Sequence, residues 1–223
     1  MTRHVAFIPA RLGSKGLPLK NRLLFPNTAD FLEHLDWIDE IVISTDDPVL
    51  AREGQGRGYT ILERPKQLAG DAIPIKAVIE GAITQMNLEP IVVLWLFYLP
   101  ILYKNKADFE DARQILDSKK LESLCTFIPA KTHPFNCWEY STEKGELSQF
   151  VENDRFRRQD LPEAWMLYHY ICCCRVSCLP KLNNELVCKQ TYPIFLPNEV
   201  ADRLIEIDTP EDLARWKVQQ IES

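Results

Sequence analysis

Five short runs of β-forming residues limit how this chain can fold. They are Val5-Ala6-Phe7-Ile8, Glu40-Ile41-Val42-Ile43-Ser44-Thr45, Tyr59-Thr60-Ile61-Leu62, Ile91 to Phe97, and Leu121 to Ile128. The fourth is continuously apolar, the mark of a central parallel strand covered on both faces. Helical segments fall between the runs. A short helix is expected over Asp30 to Asp36, after a turn at Pro26-Asn27-Thr28. A second spans 73–87, with Ile75, Val78, Ile79, Ala82, Ile83 and Met86 at helical spacing, and a third spans Asp108 to Lys119. Strands alternating with helices at these intervals predict an α/β fold with a doubly wound, mostly parallel sheet. A length of 223 residues suits one such domain, 1–223, and is short for two.

The first strand stops at Pro9, and the loop after it carries Arg11, Gly13, Ser14, Lys15, Gly16, Lys20 and Asn21. Glycines at 13 and 16 let the backbone turn and come close to a ligand. Successive N–H groups in such a loop form an anion-binding concavity, to which Arg11, Lys15 and Lys20 add full charges. The loop also lies at the carboxyl end of a strand, where open α/β sheets place their ligands. It matches neither the G-x-x-x-x-G-K-[ST] nor the G-x-G-x-x-G spacing, so the residues alone leave a polyphosphate cradle and a basic surface loop as the two readings.

The net charge of −6 and the lack of a Lys/Arg block argue against a general nucleic-acid binder. Ile91 to Tyr103 is too short to span a bilayer and contains Pro100. Because a strand starts at once, no signal peptide is expected at the N-terminus, and the expected compartment is cytoplasmic. Seven cysteines, three of them consecutive at 172–174, read as reduced and mostly buried thiols, since neighbouring strand residues face opposite ways. Of the four histidines, none has a partner at metal-ligand or triad spacing. His169 reads as a packed or hydrogen-bonded residue.

Near the C-terminus, Tyr192 to Leu196 and Arg203 to Ile207 read as strands, followed by a helix to Ile221. Thr209 before Pro210, with Asp212 at the third helical position, makes an N-terminal cap. In a strand, Glu206 and Asp208 would face the same side, and two hard oxygen ligands there suit Mg²⁺. Between these regions, 131–170 is polar, aromatic and irregular, with a hairpin expected at Glu143-Lys144-Gly145-Glu146.

The stretch Ile8 to Asn21 resembles the signature of the acylneuraminate cytidylyltransferases, also called CMP-sialic acid synthetases. Further matches follow in order. They are Ser44-Thr45-Asp46, the segment from Arg64-Pro65 through Leu68-Ala69 to Asp71, the segment Arg158-Gln159-Asp160-Leu161-Pro162, and the late acidic pair. The resemblance implies a Rossmann-like nucleotidyltransferase fold whose insertion 131–170 protrudes into a twofold partner, hence a homodimer. It implies transfer of cytidylyl from CTP to a 2-keto-3-deoxy sugar acid, with Mg²⁺ on Glu206 and Asp208. Nucleotide contacts would come from Ala10, Arg11, Gly13, Ser14, Lys15, Asn21, Arg64 and Asp71. Catalytic charge would come from Arg11, Lys15, Lys20 and Asp208, and sugar contacts from Arg158 and Gln159.

Two positions have alternative readings. By spacing alone Arg64 is a surface-loop arginine, and Asp46-Asp47-Pro48 can be helix capping as well as nucleotide positioning. The chain also departs from the family. Leu96 stands where the family has a glutamine, and Tyr168-His169 replaces an Asn-Gly pair that contacts the sugar. A Kdo-type sugar, a polyol phosphate, or a non-catalytic nucleotide-binding role are therefore the competing expectations.

Overall fold

A computed structural model describes residues 2–221, with the side chain of Arg158 outside that description. The main sheet has seven strands: β1 (His4–Pro9), β2 (Glu40–Thr45), β3 (Thr60–Glu63), β4 (Val93–Leu96), β5 (Ser123–Pro129), β8 (Trp165–Arg175) and β9 (Tyr192–Phe195). A separate hairpin pairs β6 (Trp138–Ser141) with β7 (Glu146–Gln149). The strand order is β3-β2-β1-β4-β8-β5-β9, and only β8 runs antiparallel to its neighbours. The helices are α1 (Lys20–Leu32), α2 (Pro48–Gly56), α3 (Ile75–Met86), α4 (Lys106–Ser118), α5 (Asn198–Ala201) and α6 (Pro210–Ile221). The fold is the α/β, doubly wound, mostly parallel sheet that the alternating runs predict.

Strand alternation divides the core into two layers. Ala6, Ile8, Val93, Trp95 and Cys173 pack on one face against Phe25, Ala29, Phe109 and Leu116. Val5, Phe7, Leu94, Leu96, Cys172 and Cys174 pack on the other against Val78, Ile79 and Ala82. Trp95 is enclosed, and its indole N–H donates to His4 Nδ1 at 3.0 Å, so that nitrogen serves as an acceptor. Burial holds the His4 imidazole below its ordinary pKa, which keeps it neutral in this role.

β1 leads to β2 on one side, while β4 lies on its other side. The strand order therefore reverses at β1/β4 and opens a crevice beyond their carboxyl ends. The connections at residues 10–19 and 97–100 both leave from there.

Two expected elements differ. The first helix starts at Lys20, not Asp30, and runs through Pro26. Leu24, Phe25, Thr28, Ala29 and Leu32 are its buried residues, a stripe whose packing outweighs the amide that Pro26 removes. Arg203 to Ile207 is not a strand. Glu206 makes an isolated bridge with Ile101, and Ile207 N–H donates to the Pro100 carbonyl at 3.0 Å. The hairpin, by contrast, turns where expected, with Gly145 at φ +67°.

β8 also carries the main irregularity of the sheet. Its partner on β5 jumps from Cys172, opposite Cys125, to Tyr168, opposite Thr126, which loops out His169 to Ile171. Thr126 secures the loop. Its hydroxyl donates to the Tyr168 carbonyl and accepts the Ile171 N–H at 3.1 Å.

Lys104 fastens the segment after β4 to α1. Its ammonium donates to the Ile101 carbonyl and to Asn27 Oδ1 at 3.3 Å, with no carboxylate in ion-pairing distance among the described residues. Burial lowers its pKa to about 7. The unfolded chain keeps this proton to about pH 10.4. Above pH 7 the unfolded state therefore binds more protons, and this group makes stability rise with pH. Lys104→Met is expected to raise the urea midpoint at pH 7. It should also remove a gain of up to about 1 kcal/mol between pH 7 and 8. An identical pH dependence in both proteins contradicts this account.

Candidate active site

The loop after β1 is held from below by β2. Ala10 N–H donates to the Ser44 carbonyl at 2.9 Å, Thr45 Oγ1 donates to the Ala10 carbonyl, and Leu12 N–H donates to Asp46 at 2.6 Å. Asn21, in the first turn of α1, donates to the Arg11 carbonyl at 2.7 Å. Asp46 thus fixes the loop. Asp47 caps α2 through the Val49 N–H and binds Arg22 through both carboxylate oxygens at 2.7 and 2.9 Å. Burial alone would raise the Asp47 carboxyl, but the Arg22 and Val49 bonds outweigh it and hold it below its ordinary value.

Three cations of the loop point at carboxylates from distant parts of the chain. Arg11 and Lys15 both reach Asp71 at 2.5 Å, and Lys20 reaches Asp208 at 2.6 Å. Gly13 turns the loop at φ +89°. Gly16 is required for a different reason, since a Cβ there would collide with the Asp208 backbone carbonyl. Arg64 is 6% exposed, with bonds to Ser44 O at 3.0 Å and Ser44 Oγ at 3.3 Å and no ion pair among the described residues. Burial lowers its pKa to about 10, partly offset by Asp46. Arg64 is therefore not a surface-loop arginine but a desolvated charge in the wall of the crevice.

Arg11, Ser14, Lys20, Asn21, Arg64 and Asp71 line one cleft of about 220 Å³, with Tyr98 and Pro100 at its far wall. Tyr98 also lines a second cleft of about 510 Å³, together with Ile101, Tyr168, His169, Glu185 and Glu206. Burial raises the Glu206 carboxyl and repulsion from Asp208 adds to the rise, while Lys20 and His169 oppose it. Glu206 and Asp208 are thus neighbours, although no strand sets their common face. Asp208 turns to the loop and Glu206 to the second cleft, with the Pro100–Ile101 segment clamping the chain between them. The expected cap holds, since Thr209 and Asp212 bond each other and Asp212 also accepts the Asp208 and Thr209 amides.

Of the expected residues, the structure gathers Arg11, Ser14, Lys20, Asn21, Arg64, Asp71, Glu206 and Asp208. Ala10 and Gly13 shape the loop, and Lys15 reaches in from solvent. Gln159 is exposed, in a short 3₁₀ turn at Arg158–Asp160, and lines neither cleft; the Arg158 side chain is not among the described residues. His169 is hydrogen-bonded, as expected, through Nε2 to the Glu185 carbonyl at 3.0 Å. Two tyrosines had no expected role. The Tyr168 hydroxyl is buried without a partner among the described residues, and burial, then Glu206 and Asp208, push its pKa up. Tyr98 joins the two clefts. The signal of Tyr168 in the sequence is that Tyr168-His169 stands where the resembled family has an Asn-Gly pair.

No family model matches the chain. It is 25% identical over 166 residues to the N-acylneuraminate cytidylyltransferases of Streptococcus agalactiae serotypes III and Ia. The match takes in 70% of this chain and 40% of theirs, so the chain spans about 40% of the length of these curated relatives. Among solved structures, a CMP:2-keto-3-deoxy-manno-octonic acid synthetase complexed with CTP superposes with a TM-score of 0.67 at 15% identity, covering 99% of both chains. A 4-diphosphocytidyl-2C-methyl-D-erythritol synthase from Anaerococcus prevotii gives 0.62 at 13% identity and 98% of both chains. These likenesses fix the fold.

Gly16→Ala must push the loop away from Asp208. The expected cost is about 1–3 kcal/mol, a fall in Tm of about 2–10 °C. Gly56→Ala, in open space at the end of α2, should be neutral or slightly stabilising. Equal thermal shifts for the two variants would show that the close approach is not real.

Proposed function

We propose that the chain is a cytidylyltransferase that moves the cytidylyl group of CTP onto the anomeric hydroxyl of a 2-keto-3-deoxy sugar acid of the sialic acid type, releasing pyrophosphate. The observation that carries this reading is the meeting of the early cations with the late carboxylates at the point where the strand order reverses. Arg11, Lys15 and the loop amides take the phosphates, displacing Asp71 from its ion pairs. Lys20 and Asn21 fix the nucleotide and the phosphate under attack, and Arg64 faces the nucleotide from the wall of the cleft. Such a transfer needs mainly positioning and charge neutralisation, which these groups supply in a partly desolvated crevice.

Glu206 and Asp208 fit a hard divalent cation. Both offer carboxylate oxygens, and the Glu206 carboxyl, raised by burial and by its neighbour, is what a cation between them would relieve. Mg²⁺ held there by Glu206 and Asp208 would supply positive charge to neutralise phosphate oxygens. The acceptor occupies the second cleft, whose wall includes Tyr168 and His169.

That cleft is lined by Glu185 and Glu206 and by no Lys or Arg among the described residues, so the counter-charge for a sugar carboxylate must come from elsewhere. The resembled family points to Arg158, with Gln159, delivered by a second copy. In keeping with a homodimer, Trp138, Tyr140, Leu147, Phe150 and Phe156 are exposed on and beside the hairpin. A two-stranded ribbon of this kind is marginal without a covering surface.

The test is pyrophosphate release from each nucleoside triphosphate against sialic, pseudaminic, legionaminic and Kdo-like acids and a polyol phosphate. Release is expected with CTP and a nonulosonate. Lys15→Ala and Asp208→Ala should each lower kcat by about 10²-fold or more with the fold intact. Release only with a Kdo-like acid or a polyol phosphate replaces the acceptor and keeps the transferase. Unchanged turnover in both variants, or none with any pair, refutes the catalytic reading.

A further inference from the structure

The bulge in β8 does more than present Tyr168 to the second cleft. Strand alternation would separate His169 from Cys172, yet looping out His169 to Ile171 brings both beside Cys125 on the neighbouring strand. The two sulfurs and a ring nitrogen of His169 all lie within 4.8 Å of one another. Both cysteines are free and buried, while His169 sits half-buried in the wall of the cleft. Two thiols and an imidazole are a donor set that suits zinc and leaves a fourth position for water or a ligand.

The imidazole is also held in place by its neighbours. Its Nε2 meets the Glu185 carbonyl at 3.0 Å, with the Glu185 carboxylate at 4.0 Å, and Tyr98 packs edge-on at 5.4 Å. With its proton shared with Glu185 at Nε2, the ring keeps a lone pair on Nδ1. Cys173 and Cys174 give an internal contrast. Cys173 faces the opposite layer of the core, and Cys174 belongs to no such three-ligand group among the described residues.

We propose that Cys125, Cys172 and His169 form a buried zinc site behind the wall of the second cleft, which His169 lines, separate from the carboxylate pair at Glu206 and Asp208. Bound there, the ion fastens the β8 bulge to β5 and so fixes the place of Tyr168, the residue next to its histidine ligand.

The test is metal binding to the whole reduced chain, stripped with a chelator and titrated first with Co²⁺ and then with Zn²⁺. One equivalent of Co²⁺ per chain is expected, with a thiolate-to-cobalt charge-transfer band that one equivalent of Zn²⁺ abolishes. Cys172→Ser should weaken the band, and His169→Phe, with the side chain at the cleft wall, should weaken Zn²⁺ binding at least tenfold while keeping the fold. Cys173→Ala and Cys188→Ala should bind like the unaltered chain. No stoichiometric band, or binding that survives loss of both His169 and Cys172, overturns the site. Because the readout is binding and not turnover, this outcome is independent of the transferase reading.

Discussion

The ion pair between Lys20 and Asp208 joins residues 188 positions apart, and the geometry of the crevice depends on it. Lys20 opens α1, so the pair ties the end of the charged loop to the segment leading into α6. Gly16 makes the same junction in backbone terms, since the loop can pass the Asp208 carbonyl only without a side chain. Through these two contacts, a loop that would otherwise be a basic surface feature becomes one wall of a site. The opposite wall is supplied by the Pro100–Ile101 segment beyond β4, which holds Glu206 and Ile207 through backbone pairing.

The charges in the crevice are arranged to be exchanged. Arg11 and Lys15 share a single carboxylate, and the buried Arg64 has a hydroxyl and a carbonyl as its partners. A buried cation without an anion is costly, and burial accordingly lowers its pKa. On the other side, Glu206 is a carboxylate pushed up by burial and by a like charge. A polyphosphate accompanied by a divalent cation would answer both imbalances at once. An uncharged ligand would answer neither.

The parallel strands are legible in the sequence because the buried runs and the helical periods are local signals, whereas β8 (Trp165–Arg175) is not, since it starts within the polar, aromatic 131–170 stretch that reads as irregular. The loop is legible for a similar reason: Gly13, Gly16 and three cations lie within ten residues of one another. Other features are not local. The start of α1 is hidden because Pro26-Asn27-Thr28 has turn chemistry, and only tertiary burial of Leu24, Phe25 and Ala29 overrides it. Strand alternation singles out the acidic pair, whereas the segment that carries it is no strand and is held by one bridge to Ile101, with Asp208 on Lys20 and Glu206 in the second cleft. Spacing alone gives no sign that Arg64 or the Tyr168 hydroxyl is buried, since tertiary packing sets that. The same holds for Cys125, His169 and Cys172, which a bulge brings together across two strands.

If the early cations and late carboxylates act as one unit, Lys20 and Asp208 must be coupled in turnover. The direct measurement is a double-mutant cycle on kcat/KM for CTP with Lys20→Ala, Asp208→Ala and the double variant. The account predicts strong non-additivity, with the double variant about as impaired as the worse single one. Losses that simply add would mean that the two residues act independently, and the shared site would have to be abandoned.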